Sequence, residues 1–477
     1  MDSKPPRKND VYLDWAFAGV LLLCAMVALI LAAKTARLPM QFDYEEGNIV
    51  NAGLRVTQGQ TPYPAPGGWP IVLNPYGPIP YLLTALLVKW FGVGFLAPRM
   101  VTLLCGVGIT LLIGFLIRRF GGSIAASIVF ACLFLSVGSI RNWLLTCRVD
   151  WLALLLSFGG LAAGVFWEKR WYIAALLFSA ALFVKYSLLA APFACGIWLV
   201  TRKDWKNLVR ITAGSAAFCG LALWITQRWS GGNFAFHQFG THPDPYVFAQ
   251  CVKFMKERIA AIPLPFGMAV VAAAVSFMRR KVALPVIYFL TSTAGALTLG
   301  KAGSNTNHLI EWTAAVCWCA GYGWQAIEAW LLEKKLVIAR ALAMTAVAAT
   351  ALLAFATYRL PMEERTSCGP AYAFLKSHGD KVLTDSVGAL LATQKPVLVS
   401  NPFVYAQLVS YGGWTDSEVK RRVLAKEFDV ILLRDQIGAY PPNVRFTGET
   451  LRAIRQNYHE GAAFECFDSG FAYVPNP

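Results

Sequence analysis

The sequence predicts a polytopic α-helical membrane protein of about eleven transmembrane helices, followed by a small C-terminal extracytoplasmic α/β domain. Three observations carry this. Hydrophobic residues make up 56% of the 477 and charged residues only 15%, with a mean hydropathy of +0.49, which excludes an ordinary soluble enzyme. Apolar runs of spanning length recur through the first three quarters of the chain. Beyond residue 361 the composition turns mixed, so residues 1–360 read as the membrane domain and 361–477 as the soluble one.

In order, the expected spans cover residues 15–36, 99–117, 122–140, 150–167, 171–184, 186–201, 209–228, 261–278, 282–300, 309–330 and 336–358. The first run is long and lacks a small-residue cleavage pattern, so it is expected to remain as an anchor. The formal net charge of +16 invites a nucleic-acid reading, but its distribution argues against one. Basic clusters at Lys4/Arg7/Lys8, Arg118/Arg119, Lys169/Arg170, Arg202/Lys203/Lys206, Arg279/Arg280/Lys281 and Lys334/Lys335 all fall on one side if the crossings alternate. The expectation is a cytoplasmic N-terminus and a periplasmic or extracellular C-terminal domain, as in a bacterial inner membrane protein. The basic rims would then meet anionic lipid.

This topology leaves three outer stretches: a first loop over residues 37–98, a second over 229–260, and a turn around 300–307. The first opens with Asp43-Tyr44-Glu45-Glu46. Asp43 followed three residues later by Glu46 is a capping box for a helix over 44–57. Any carboxylate left over is a candidate general base for an acceptor hydroxyl. Farther on, residues 78–88 are apolar but too short to span and suit an interfacial helix. Tyr63 and Tyr76 fit an interfacial aromatic belt, and also a surface for a lipid chain or sugar ring.

Arg148 and Asp150 stand at the mouth of the fourth expected span. They read either as a local pair anchoring the helix end or as part of a phosphate site, for which a guanidinium is well shaped. Lys185 interrupts the apolar stretch between two basic flanks, so the stretch should be a hairpin with the lysine near its far tip. An arm of about 14 residues reaches about 21 Å against a hydrocarbon core of about 30 Å. Lys185 is therefore expected just beneath the headgroups, where a cation wants an anionic partner. Asn305, His308 and Glu311 recur every three residues and are expected to stack down one side of a helix start as a polar site.

Within the soluble domain, residues 381–385, 396–400 and 428–434 read as strands and 401–411, 416–426 and 447–458 as helices. Eleven cysteines show no metal-ligand spacing. Cys368 and Cys466 lie at opposite ends of this domain and are expected to form a disulfide, because the compartment is oxidising. His237, His242 and Asp244 match no metal template, and no metal or cofactor is expected. No nucleophile elbow or nucleotide-binding glycine loop is present, so an activated donor must arrive dissolved in the membrane.

Together, the acidic cluster after the first span, the Gly59-Gln60-Thr61-Pro62-Tyr63 turn of the long first loop and the Arg148-Val149-Asp150 mouth form part of a recognisable set. The Lys185-Tyr186-Ser187 break and the Gly-Ser-Asn-x-Asn-His turn before Glu311 complete it. The set resembles the polyprenyl-phosphate-dependent C-type glycosyltransferases, of the protein mannosyltransferase and lipid A aminoarabinose transferase kind. The resemblance implies inverting transfer of a sugar from a polyprenyl-phosphate donor to a glycan, lipid or protein acceptor on the outer face. A first-loop acid would act as base, which maps to Asp43, Glu45 or Glu46; the inserted Tyr44 leaves the choice open. Lys185 and Arg148 would hold the donor phosphate, with Tyr63, Tyr76, Asn305, His308, Glu311 and Asp150 around the substrates. A transporter or flippase of a lipid-linked or polar solute would also want charges at membrane depth, and a non-catalytic scaffold is a third reading. Against the transporter, no internal repeat relates the two halves.

Overall fold

The protein is described by a computed structural model over residues 8–359, 367–440, 444–466 and 468–477. Its helices begin with α1 (Lys8–Thr35), α2 (Tyr44–Thr57), α3 (Pro78–Phe91), α4 (Leu96–Arg119) and α5 (Ile124–Ser136). Next come α6 (Gly138–Leu144), α7 (Val149–Phe166), α8 (Trp171–Val184), α9 (Ala190–Thr201) and α10 (Trp205–Trp229). The bundle closes with α11 (Phe248–Ala261), α12 (Pro263–Met278), α13 (Leu284–Ala296), α14 (Leu309–Glu333) and α15 (Val337–Ala356).

Among the described residues, five helices are long and apolar enough to cross a membrane: α1 from Tyr12, α4, α7, α10 and α15. The pairs α5–α6 and α11–α12, bent by 71° and 101°, raise this to seven if each counts as one span. Length and composition thus support fewer spans than the eleven expected. The apolar runs behind α8 and α9 build helices of only 14 and 12 residues. The α11–α12 bend has a local cause. Pro263 follows Ile262, whose backbone sits outside the helical region at φ −138° and ψ 53°, as a residue before proline prefers. At the end of α8, Lys185 turns extended, with φ −150° and ψ 110°. Lys185 therefore breaks the apolar stretch as expected, but α8 packs chiefly on α7 and α10 and α9 on α13 and α7, rather than on each other as the arms of a hairpin would. At the centre of the bundle, α14 is buried continuously from Leu309 to Gly321, and Trp312, Trp318 and Trp324 on it are buried completely.

The C-terminal part adds α16 (Gly369–Ser377), α17 (Val387–Ala392), α18 (Pro402–Tyr411), α19 (Ser417–Leu424) and α20 (Gly448–Asn457). Its strands are β1 (Val382–Thr384), β2 (Val430–Leu433), β3 (Tyr458–Ala463) and β4 (Phe471–Pro475), in the order β1-β2-β4-β3. The β1–β2 pair is parallel and both strands are buried throughout, as continuous apolar runs dictate. Antiparallel β4 and β3 complete the sheet, with β3 largely exposed at the edge. The strand expected over 396–400 is absent. Flanked by Pro396 and Pro402, this segment makes one isolated bridge, Val399 to Ile71 of the first loop. The short β3 and β4, and helices α16 and α17, are additions that the sequence patterns do not announce. A disulfide joins Cys368 to Cys466 across 98 residues and ties the start of α16 to the β3–β4 connection.

The first loop does not lie apart from this sheet. Ile71 and Leu73 share a hydrophobic core with Val399, Val404, Tyr405 and Ile431. Gln41 closes a second seam, accepting from Gly388 N at 2.8 Å and donating to Ser386 Oγ at 3.1 Å.

Candidate functional site

Helix α2 begins with the capping box expected from its sequence. Asp43 is the extended N-cap and accepts from Glu45 N at 3.1 Å, while Glu46 reaches back to Asp43 N at 3.4 Å. The three acids meet different fates. Glu46 is fully buried and taken up entirely: Arg99 donates to it from Nε and Nη2, each at 2.8 Å, and Cys147 N also donates at 2.8 Å. Arg99 is equally buried, donates to the carbonyls of Leu38 and Met40, and lies 3.7 Å over the Phe42 ring. The structure gives Glu46 the task of fixing the first loop to α4, which leaves no oxygen for an acceptor. Arg99 was legible only as the first residue of an expected span; nothing local announces its partner 53 positions upstream.

Glu45 is 2% exposed and accepts from Asn48 Nδ2 at 3.2 Å and Asn401 Nδ2 at 2.9 Å. Burial pushes its carboxyl up from the ordinary range, against a downward pull from the Arg148 guanidinium and the two amides. Asp43 is the most open of the three, with 15% of its side chain exposed, and pairs with Arg148 Nη1 at 2.8 Å.

From Arg148 the charges continue as a chain. Its Nε stands 3.5 Å from Asp150 Oδ2, and Asp150 Oδ1 accepts from Lys185 Nζ at 2.5 Å and from Asn307 Nδ2 at 2.9 Å. Asp150 lies in the first turn of α7, where the helix dipole favours an anion, and Arg148 is the N-cap. The first-loop acid, the start of α7 and the end of α8 are therefore one cluster, Asp43–Arg148–Asp150–Lys185. Arg148 Nε, Asp150 Oδ2 and Asn307 Oδ1 are buried with no hydrogen-bond partner, although Arg148 Nε and Asp150 Oδ2 face each other as an ion pair. Such atoms are suited to a polar ligand.

A cleft beside the cluster is lined by Asp150, Lys185, Asn307, His308, Glu311 and Trp312. Burial and the Lys185 ammonium push the His308 imidazole down to about 3, so it stands neutral and offers one donor and one acceptor. Glu311 accepts from Tyr288 OH at 3.2 Å. Asn305 lies elsewhere. It is exposed and caps the 3₁₀ turn Thr306–His308 through Thr306 N at 2.7 Å. As the N-cap, Asn305 has extended backbone at φ −131° and ψ 177° and so lies outside the helical repeat, while Asn307, inside the turn, reaches Asp150 instead. A second, mostly apolar cavity is lined by Pro80, Leu83, Leu87, Val101 and Leu152 and also reaches Arg148.

Tyr63 does not face the cluster. It is fully buried among Tyr81, Phe234 and His237, and its hydroxyl donates to the Tyr76 carbonyl at 2.8 Å. Tyr76 itself lies in the electric field of Arg148, Glu45 and Asp150. His237 is a strut, accepting from Asn74 N at 3.2 Å through Nδ1 and meeting Pro64 O at 2.9 Å through Nε2. His242 stands 3.9 Å from Asp244, and burial with the Lys301 and Lys185 charges pushes it down to about 4.

Gly77 sets the position of Lys185 from the first loop. A Cβ there would lie 1.9 Å from the carbonyl oxygen of Phe183, which belongs to the last turn of α8. Gly77→Ala must therefore displace the end of α8. We expect a loss of about 1–3 kcal/mol, the cost of forcing a methyl into a closed contact, read as a lowered thermal midpoint in detergent with helix content by circular dichroism unchanged. A wild-type midpoint would show that the end of α8 has room to give.

No protein-family model matches the chain, and no curated protein sequence matches it. Its fold is nevertheless that of a solved protein. The crystal structure of ArnT from Cupriavidus metallidurans bound to undecaprenyl phosphate superposes with a TM-score of 0.62 at 10% identity, over 97% of this chain and 99% of that one. The apo state of the same protein gives a TM-score of 0.62 at 11% identity, over 97% and 100%.

Proposed function

We propose, on the premise that the chain has the fold of ArnT, a lipid A aminoarabinose transferase of the C-type glycosyltransferases, that it is a membrane glycosyltransferase. It takes a sugar from a polyprenyl-phosphate donor and passes it to an acceptor hydroxyl at the outer face of a bacterial inner membrane, with its N-terminus cytoplasmic. The observation that carries this reading is the charge chain Asp43–Arg148–Asp150–Lys185, which joins an accessible carboxylate to two cations beside a polar cleft. The apolar cavity ending at Arg148 suits the donor's lipid tail, and the cleft of Asn307, His308 and Glu311 suits its sugar.

The step needs no metal or cofactor. The bond between the anomeric carbon and the phosphate oxygen breaks, and its electron pair leaves with the lipid phosphate. Lys185 and Arg148 stabilise the growing charge, in a setting where fixed cations act more strongly than in water. The acceptor oxygen bonds to the opposite face of the anomeric carbon, inverting it, and its proton passes to Asp43. Asp43 takes this role because Glu46 is fully occupied and Glu45 is nearly sealed. Asp150 holds both cations at the mouth of α7.

Purified protein is expected to transfer sugar from a synthetic polyprenyl-phosphate sugar, and Lys185→Ala to lose about 100-fold in kcat. Movement of intact lipid donor across vesicles without sugar transfer would replace the transferase reading by a flippase.

A further inference from the structure

We infer that Asn401, from the C-terminal domain, is a positioning residue of the transfer reaction, acting through Glu45; the inference rests on the acid cluster being the reacting site. The Asn401 side chain is held at both ends. Its Nδ2 donates to Glu45 Oε1 at 2.9 Å, and its Oδ1 caps α18 by accepting from Val404 N at 3.1 Å. The residue is fully buried.

Glu45 needs this partner. Among the described residues no cation lies within salt-bridge reach of it, and its two hydrogen-bonded partners are the amides of Asn48 and Asn401. Asp43 and Tyr44 face it from its own chain segment, Arg148 from the start of α7, and Tyr76 and Tyr81 from the rest of the first loop. A buried carboxylate stays charged only where hydrogen bonds replace its lost water. That charge lies beside Asp43 and faces the same guanidinium, Arg148, so it shares with Asp43 the one cation that Asp43 pairs with.

The amide comes from a domain seated tightly on α2. A Cβ at Gly47 would lie 2.6 Å from Gly388 N, so α2 and α17 meet backbone against backbone. Leu73 N donates to Ser400 Oγ at 2.9 Å, one residue before Asn401. The C-terminal domain is thereby a wall of the reacting site rather than a separate module.

The test compares Asn401→Ala, Asn401→Asp, the paired change Asn401→Asp with Glu45→Gln, and Ser400→Ala. Sugar transfer from a synthetic polyprenyl-phosphate sugar and thermal midpoint in detergent are both measured. Asn401→Ala is expected to lower kcat about ten- to a hundredfold, the range spanned by one hydrogen bond to a charged group, with donor KM within about twofold. Asn401→Asp sets two carboxylates face to face and should lower both kcat and midpoint. The paired change rebuilds the bond with donor and acceptor exchanged, so the midpoint should recover while kcat does not. Ser400→Ala loosens the same seam without touching Glu45 and should keep kcat. Recovery of kcat in the paired change, wild-type kcat in Asn401→Ala, or an equal loss in Ser400→Ala would each overturn the inference. A wild type that transfers no sugar from any lipid-phosphate donor removes the functional reading, and this inference with it.

Discussion

Replacing Asp43 by Asn is expected to lower kcat about 100- to 10,000-fold, the contribution of one well-placed general base. The amide keeps the size and the capping oxygen, so Glu45 N retains its acceptor and α2 its start. What it loses is the capacity to take a proton and the charge that faces Arg148 at 2.8 Å. The KM for donor should move far less than kcat, because the proposed donor contacts are Lys185 and Arg148 rather than Asp43. An activity that survives Asp43→Asn but not Glu45→Gln would transfer the role of base to the neighbouring acid while leaving the reaction class intact. Rates that ignore both changes would remove the acid cluster from the chemistry.

Removing Arg99 is expected to cost about 3–5 kcal/mol, because it leaves the Glu46 carboxylate buried without its cation. That is a large share of the stability of an ordinary domain, about 5–15 kcal/mol, so Arg99→Ala is expected to be recovered poorly from the membrane. The loss is double: the carboxylate is stranded, and the carbonyls of Leu38 and Met40 lose their donors. Neutralising both partners together, as Arg99→Met with Glu46→Gln, should lie closer to the wild type, since an uncompensated buried charge costs more than an absent pair. A thermal midpoint in detergent unchanged by Arg99→Ala would show that the first loop is anchored by other means, with the Ile71 and Leu73 core the obvious substitute.

The two expectations divide acids that sit side by side in the sequence, and the division marks where sequence reading stops. The capping box was legible because it is local: Asp43 and Glu46 are three residues apart and their hydrogen bonds follow from helix geometry. The helix break at Lys185 was equally legible from the charge interrupting an apolar stretch, and so were α18, α19 and α20, each with a cap or a strong apolar period. The span count was harder, since apolar composition marks what lies among lipid or protein without telling a full crossing from a short arm such as α8 or α9. Asn307 was overlooked for Asn305 because the three-residue spacing assumed one continuous helix, whereas the chain enters its first turn only after an extended Asn305. Nothing in the sequence around Asn401 or Arg99 points to an acid some 350 or 53 residues away.

Composition, apolar run length and charge placement by themselves determined a helical membrane protein with its acids, its cations and its polar turn on loops and helix ends. These properties are legible because water and lipid sort side chains by polarity over short stretches of chain. Tertiary structure alone decided which acid is spent on holding the fold, which remains open, and that the C-terminal domain reaches into the cluster. Those outcomes depend on contacts between distant segments, where burying a charge is tolerable only if a partner arrives from elsewhere in the fold.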